Sequence, residues 1–149
     1  MKARIPADEF ESRLARLGES WSADGDVAAA FLHGSRARGT ARPDSDVDLA
    51  AILRSGLTAS ERWRKRLVLL ESAAAALGTD AVDLVILEEA PSAVGHRVIR
   101  DGRLILERDA HRRVQVVEDV LRRYLDEGWL RSVLDEGLRV RLAEGRFAR

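Results

Sequence analysis

Apolar residues recur along this chain with two different periods. Phe10, Leu14 and Leu17 are spaced by four and three, one face of a helix over residues 8–17, with Gly18 as its stop. Val27–His33 is instead a nearly continuous apolar run ending at Gly34, consistent with a buried strand. Val47–Leu53 is a second such run, unusual in carrying Asp48 inside it. Thr58-Ala-Ser-Glu61 has the hydroxyl and carboxylate of a capping box, which starts a helix that runs to Leu77 and ends at Gly78. Residues 82–87 predict a third strand. Pro91 opens a helix containing Val94, Val98 and Ile99, and Gly102 precedes a short strand over 104–106. From Asp109 the pattern is helical through Val114, Val117, Leu121 and Leu125, and again through Leu130, Val133, Leu134 and Leu138. Gly128 leaves one helix or two open. The alternation predicts an α/β (α+β) fold, a small mixed sheet with flanking helices and a C-terminal helical tail over about 109–145.

Composition narrows the class. At 149 residues without repeats, low-complexity tracts or a linker, residues 1–149 read as a single domain, with the informative segment at 27–88. A 46% hydrophobic and 34% charged sequence is that of a globular protein, and its uncharged apolar stretches are far too short to span a bilayer. The first residues, Met1-Lys2-Ala3-Arg4-Ile5-Pro6, lack the apolar run of a signal peptide, so the expected location is cytoplasmic. There is no cysteine, hence no disulfide, thiolate metal site or thiol nucleophile. The 25 cationic and 25 acidic residues are interleaved and cancel, without the positive surplus of a direct nucleic-acid binder. Only Lys2 and Lys65 are lysines; this preference for arginine reads as coding bias.

Local rules break in Leu32 to Leu53, LHGSRARGTARPDSDVDLAAIL. Asp46 and Asp48 stand at i and i+2, which in a strand puts both carboxylates on one face. Like charges that close repel unless a cation lies between them. Magnesium is the natural one, since it takes hard oxygen ligands and is commonly held by one or two carboxylates plus substrate phosphates. Gly34-Ser35 supplies the complement: glycine lets backbone approach a phosphate, and amides at a following helix start, with the serine hydroxyl, bind its oxygens. A third acid, Asp83, stands in the apolar run of 82–87, where an unpaired carboxylate is costly. Three acids converging from neighbouring strands fit two magnesium ions and an in-line displacement at phosphorus.

In these residues the sequence resembles the DNA polymerase β-type nucleotidyltransferase superfamily, whose signature is Gly-Ser followed by Asp-x-Asp and a third acid on a later strand. It is similar to the minimal nucleotidyltransferase (MNT) branch, with its Gly-Ser-x-Ala-Arg-Gly-x-Ala-x-x-x-Ser-Asp-x-Asp-Leu. Gly34, Ser35, Ala37, Arg38, Gly39, Ala41, Ser45, Asp46, Asp48 and Leu49 fill those positions. Val82-Asp83-Leu84 looks like the branch's third-acid strand. The tail from Tyr124 through Phe147 resembles the C-terminal helices of MNT antitoxins. The resemblance implies a polymerase β-like sheet and ATP as substrate. It also implies Asp46, Asp48 and Asp83 as catalytic metal ligands, and AMP transfer to a tyrosine of a HEPN-domain ribonuclease toxin in a hetero-oligomer. The alternatives are a small-molecule nucleotidyltransferase like the aminoglycoside-modifying enzymes and a non-catalytic antitoxin that acts by occlusion.

Around this core, Arg36 and Arg38 flank the Gly-Ser turn and are candidates to grip triphosphate oxygens bidentately. Ser45 is a weaker candidate for nucleotide contact, with a turn role as its other reading. His33 reads as a strand-end histidine with a local hydrogen bond. His96 and His111 have no partner at ligand spacing. Trp21, Trp63 and Trp129 are too dispersed for a base-stacking platform.

Overall fold

The computed structural model describes residues 5–145. Its elements run α1 (Ala7–Ser22), β1 (Val27–His33), α2 (Gly34–Ala37), β2 (Val47–Leu53), α3 (Ala59–Leu77), β3 (Val82–Ile86), α4 (Ser92–Asp101), β4 (Arg103–Glu107) and α5 (Ala110–Ala143). Residues 1–4, part of the expected leaderless N-terminus, and Phe147, in the tail likeness, lie outside the described residues.

The strands form one mixed sheet in the order β3-β2-β1-β4. β1 runs antiparallel to both β2 and β4, whereas β2 and β3 are parallel. A parallel pair needs a crossover, and α3 provides it. Its capping box is complete: the Thr58 hydroxyl accepts from the Glu61 amide and the Glu61 carboxylate from the Thr58 amide. Gly78 then ends α3 at φ 70°. That left-handed conformation suits a residue without a β-carbon.

Both faces of the sheet are covered, which is why β1 and β2 read as apolar runs rather than alternations. On one face, Ala30, Leu32, Leu49, Ala51 and Leu84 pack under α1 (Phe10, Leu14, Leu17, Trp21) and α3 (Leu69, Ala73, Leu77). On the other, Phe31, Ala50 and Ile52 pack under α4 (Val98) and α5 (Val116, Val120).

Two expectations are corrected. Gly18 does not stop α1, which continues to Ser22 and buries Trp21. A β-carbon at Gly18 would lie 2.9 Å from the Ile105 carbonyl oxygen, so this glycine lets α1 lie directly on the β4 backbone. Pro91 caps α4 rather than beginning it, and the first helical residue is Ser92. The open question of the tail resolves as one helix of 34 residues, about 51 Å at 1.5 Å per residue. No residue of α5 beyond Val120 is buried, and Leu125, Trp129, Leu130 and Leu134 are all at least half exposed. Among the described residues no helix is long and apolar enough to cross a membrane.

Candidate active site

The register of the sheet assembles the site. His33 on β1 is paired with Asp48 on β2, and Asp48 with Asp83 on β3. Paired positions in adjacent strands share a face. The three therefore form one polar row, two residues beyond the apolar row Phe31–Ala50–Val85. That apolar row belongs to the face covered by α4 and α5, so the polar row lies where the helical cover gives out.

A cleft of about 470 Å³ opens over this row. Its floor carries His33, Asp48, Asp83 and Val85, one wall is Gly34, Ser35 and Arg38, and the opposite wall is Val94, Arg97 and Asp101 of α4. Gly34 holds the first wall against the floor. Its φ is +69°, and a β-carbon there would lie 2.1 Å from Asp48 Oδ2. Only glycine brings the chain this close to the acid while turning it in the left-handed region. The turn continues into α2, where the Arg38 amide donates to the Gly34 carbonyl oxygen (3.2 Å) and the Thr40 amide to that of Ser35 (3.0 Å).

Electrostatics follow from depth. His33 is half-buried, and burial holds its pKa below 6.5 against the opposing attraction of Asp48 and the hydrogen bond to the Leu49 carbonyl (3.3 Å). The imidazole is thus neutral at physiological pH, and its local hydrogen bond is the one expected of it. Asp83, on the edge strand, keeps 63% of its side chain exposed. Arg66 reaches it from α3: Nε donates to the Leu84 carbonyl (2.7 Å), which holds Nη2 3.7 Å from Asp83 Oδ1.

The predicted residues separate into two groups. Gly34, Ser35, Arg38, Asp48 and Asp83 meet in the cleft. Asp46 is the exposed residue just before β2 and lies outside the cleft lining. Arg36 and Ser45 also lie outside it. Arg36 stands over the Phe10 ring (4.7 Å to the centroid), donates Nη2 to the Ser45 carbonyl (2.9 Å) and lines a separate, largely apolar cavity with Ile5 and Pro6. The Ser45 hydroxyl accepts from the Arg42 amide (2.8 Å), and its own amide donates back to the Arg42 carbonyl (2.9 Å), closing a turn. Both thus brace the loop between α2 and β2. Sequence reasoning passed over Arg97 and Asp101, whose only signal is that Val94, Arg97 and Asp101 follow one another at helical spacings of three and four.

The donor set suits a hard divalent cation. Asp48 and Asp83 offer carboxylate oxygens at paired positions, with the Gly34 backbone drawn against one of them. Among the described residues no three His, Asp or Glu side chains gather closely enough to hold an ion by themselves. Magnesium does not require it, because it commonly takes one or two carboxylates and completes its shell with water and substrate phosphate.

Comparison with known proteins bears on family and fold. The sequence matches the family described as polymerase beta, nucleotidyltransferase, over residues 17–111. No curated protein matches it. Among solved structures, a chain of a toxin-antitoxin with AMP-PNP superimposes with a TM-score of 0.63 at 22% identity, over 87% of this chain and 98% of its own. A chain of the toxin-antitoxin MntA-HepT gives 0.58 at 20% identity, over 89% and 98%. One from the tri-AMPylated Shewanella oneidensis HEPN toxin in complex with MNT antitoxin gives 0.57 at 20%, again over 89% and 98%. At these identities the likeness is one of fold. The family match takes in the Gly34 turn, both cleft acids and the three strands that carry the polar row, and the chain belongs to the polymerase beta nucleotidyltransferase family.

Proposed function

We propose that this chain, acting as one domain, transfers AMP from magnesium-bound ATP to a tyrosine hydroxyl of a HEPN ribonuclease and thereby silences it as its antitoxin. The observation that carries the reading is the pairing of Asp48 with Asp83 beside a glycine turn, in a cleft walled by arginine. The structures that this chain resembles come from toxin-antitoxin complexes, one with AMP-PNP and one with a tri-AMPylated HEPN toxin. The exposed apolar half of α5 favours a macromolecular acceptor over a small molecule.

In this reading Asp48 and Asp83, with Asp46 from the adjoining loop, would hold magnesium, which when bound would supply neutralisation of phosphate charge and a lowered pKa for the attacking hydroxyl. Gly34 and Ser35 cradle the phosphate oxygens, and Arg38 neutralises them from the same wall. The tyrosine oxygen attacks the α-phosphorus in line. The bond from that phosphorus to the oxygen bridging to the β-phosphate breaks, and pyrophosphate leaves with the electron pair. Asp83, the more exposed acid, takes the phenolic proton.

Incubating the protein with its HEPN partner and Mg-ATP should add AMP to a partner tyrosine, seen by mass spectrometry, and EDTA should abolish the addition. A partner that is neutralised but never modified would replace transfer with occlusion. AMP appearing only on an added aminoglycoside would replace the protein acceptor.

A further inference from the structure

We propose that Arg97 is a substrate-binding residue that grips the triphosphate from the wall facing Gly34-Ser35. The inference rests on the nucleotidyl-transfer reading above and adds a contact from an element outside the signature segment. Val94, Arg97 and Asp101 follow one another at spacings of three and four on α4, so one helical face lines the cleft. Arg38 stands on the other wall. The cleft therefore has an acidic floor and an arginine on each wall, with Asp101 on the α4 wall paired to Arg100. A magnesium triphosphate has the matching distribution, a cation for the carboxylates and anionic oxygens for the guanidiniums.

What separates Arg97 from other surface arginines without an ion pair is its place in the lining of the cleft. Several other arginines of the chain are paired: Arg100 with Asp101, Arg103 with Glu11, Arg112 with Glu88 and Arg113 with Glu107. Among the described residues the side chains of Arg97 and Arg38 form no hydrogen bond or ion pair. Two arginines lining one cleft beside its acidic floor form an anion site.

The test is titration of wild type, Arg97→Ala and Arg97→Lys with a magnesium-bound, non-hydrolysable ATP analogue, and separately with magnesium tripolyphosphate. Melting temperatures serve as a check on folding. Arg97 is exposed, so its truncation should leave the melting temperature unchanged. Arg97→Ala should weaken both ligands by a similar factor, about 10- to 100-fold, as for a lost charge-assisted contact. Arg97→Lys should recover only part, since an ammonium restores charge without the planar fork. Equal binding by wild type and Arg97→Ala overturns the inference alone. So does a loss confined to the ATP analogue, which would assign Arg97 to the nucleoside. A raised KM for the acceptor protein with unchanged nucleotide binding likewise overturns it. If wild type binds neither ligand, the functional reading falls, and this inference with it.

Discussion

Gly34 and Asp48 are fitted to each other so closely that a β-carbon on the first would lie 2.1 Å from Oδ2 of the second. Asp48 Cγ and Cβ would also stand at 2.9 and 3.2 Å, so in Gly34→Ala the carboxylate must rotate away and the two backbones must part slightly. The remaining cost is an alanine at φ +69°, about 1–2 kcal/mol. We expect a melting temperature a few degrees lower but AMP transfer reduced by two orders of magnitude or more, as for a misplaced metal-binding and positioning group. A thermal melt beside a transfer assay checks this. Near-normal transfer would mean that contact between this turn and Asp48 is incidental.

Asp83→Asn and Asp48→Asn should part binding from chemistry. Asp48 touches the Gly34 turn, whereas Asp83 is exposed on the edge strand beside Arg66. Removing the Asp83 charge should weaken Mg-ATP by only a few-fold, of order 1 kcal/mol. It should slow transfer by about 10²–10⁴, the usual contribution of a general base. Asp48→Asn should damage both. Calorimetry with an ATP analogue, run alongside the transfer assay, reads the two effects separately. Transfer at wild-type rate in Asp83→Asn would make that residue a strand-edge acid and nothing more.

Leu125 and Trp129 are one helical turn apart on α5 and expose 68% and 69% of their surface. They contribute little to the core, so Leu125→Glu and Trp129→Glu should each change stability by less than about 0.5 kcal/mol. If α5 is the surface that meets the HEPN partner, the same changes should disrupt co-purification, because a charge replaces an apolar anchor. Retention of a full complex by the double variant would direct attention to another face.

Glu88 offers a test by pH. Its side chain is only 13% exposed; Oε1 accepts from the Leu53 amide (2.7 Å) and lies 3.4 Å from Arg112 Nη2. Burial raises its pKa above 4.5, outweighing those hydrogen bonds and the nearby arginines. The folded state therefore holds this proton more tightly than the unfolded chain. Its contribution to stability is greatest below the unfolded value and is lost as pH rises through the folded one. Glu88→Gln keeps an acceptor for Leu53 and does not ionise. Urea melts of both proteins at pH 4.5 and 7 should show Gln gaining on Glu as pH rises; a constant difference would refute the raised pKa. Glu88→Ala, which leaves the Leu53 amide without its acceptor, should cost about 1–3 kcal/mol.

The sequence alone determined those features whose causes lie within a few residues. The capping box at Thr58 and Glu61, the stop at Gly78 and the apolar runs of β1 and β2 are short-range matters, and their boundaries fall as expected. The Gly34-to-Asp48 segment was legible for the same reason, since a charged residue inside a buried run is visible without a fold. Gly18 was misread because helix propensity knows nothing of the β4 carbonyl that requires a glycine there. Gly128 costs a helix about 1 kcal/mol, which by itself does not decide between one helix and two. The side chains needed the tertiary structure most. Arg36 and Arg38 both flank the Gly-Ser turn in sequence, yet Phe10 and the Ser45 carbonyl draw the first away while the second faces the cleft. Asp48 and Asp83 meet only because α3 returns the chain to a parallel strand in matching register, and Arg97 joins them only because α4 covers that face. Pairing, register and side-chain direction depend on contacts between segments distant in sequence, and local periodicity carries no information about them.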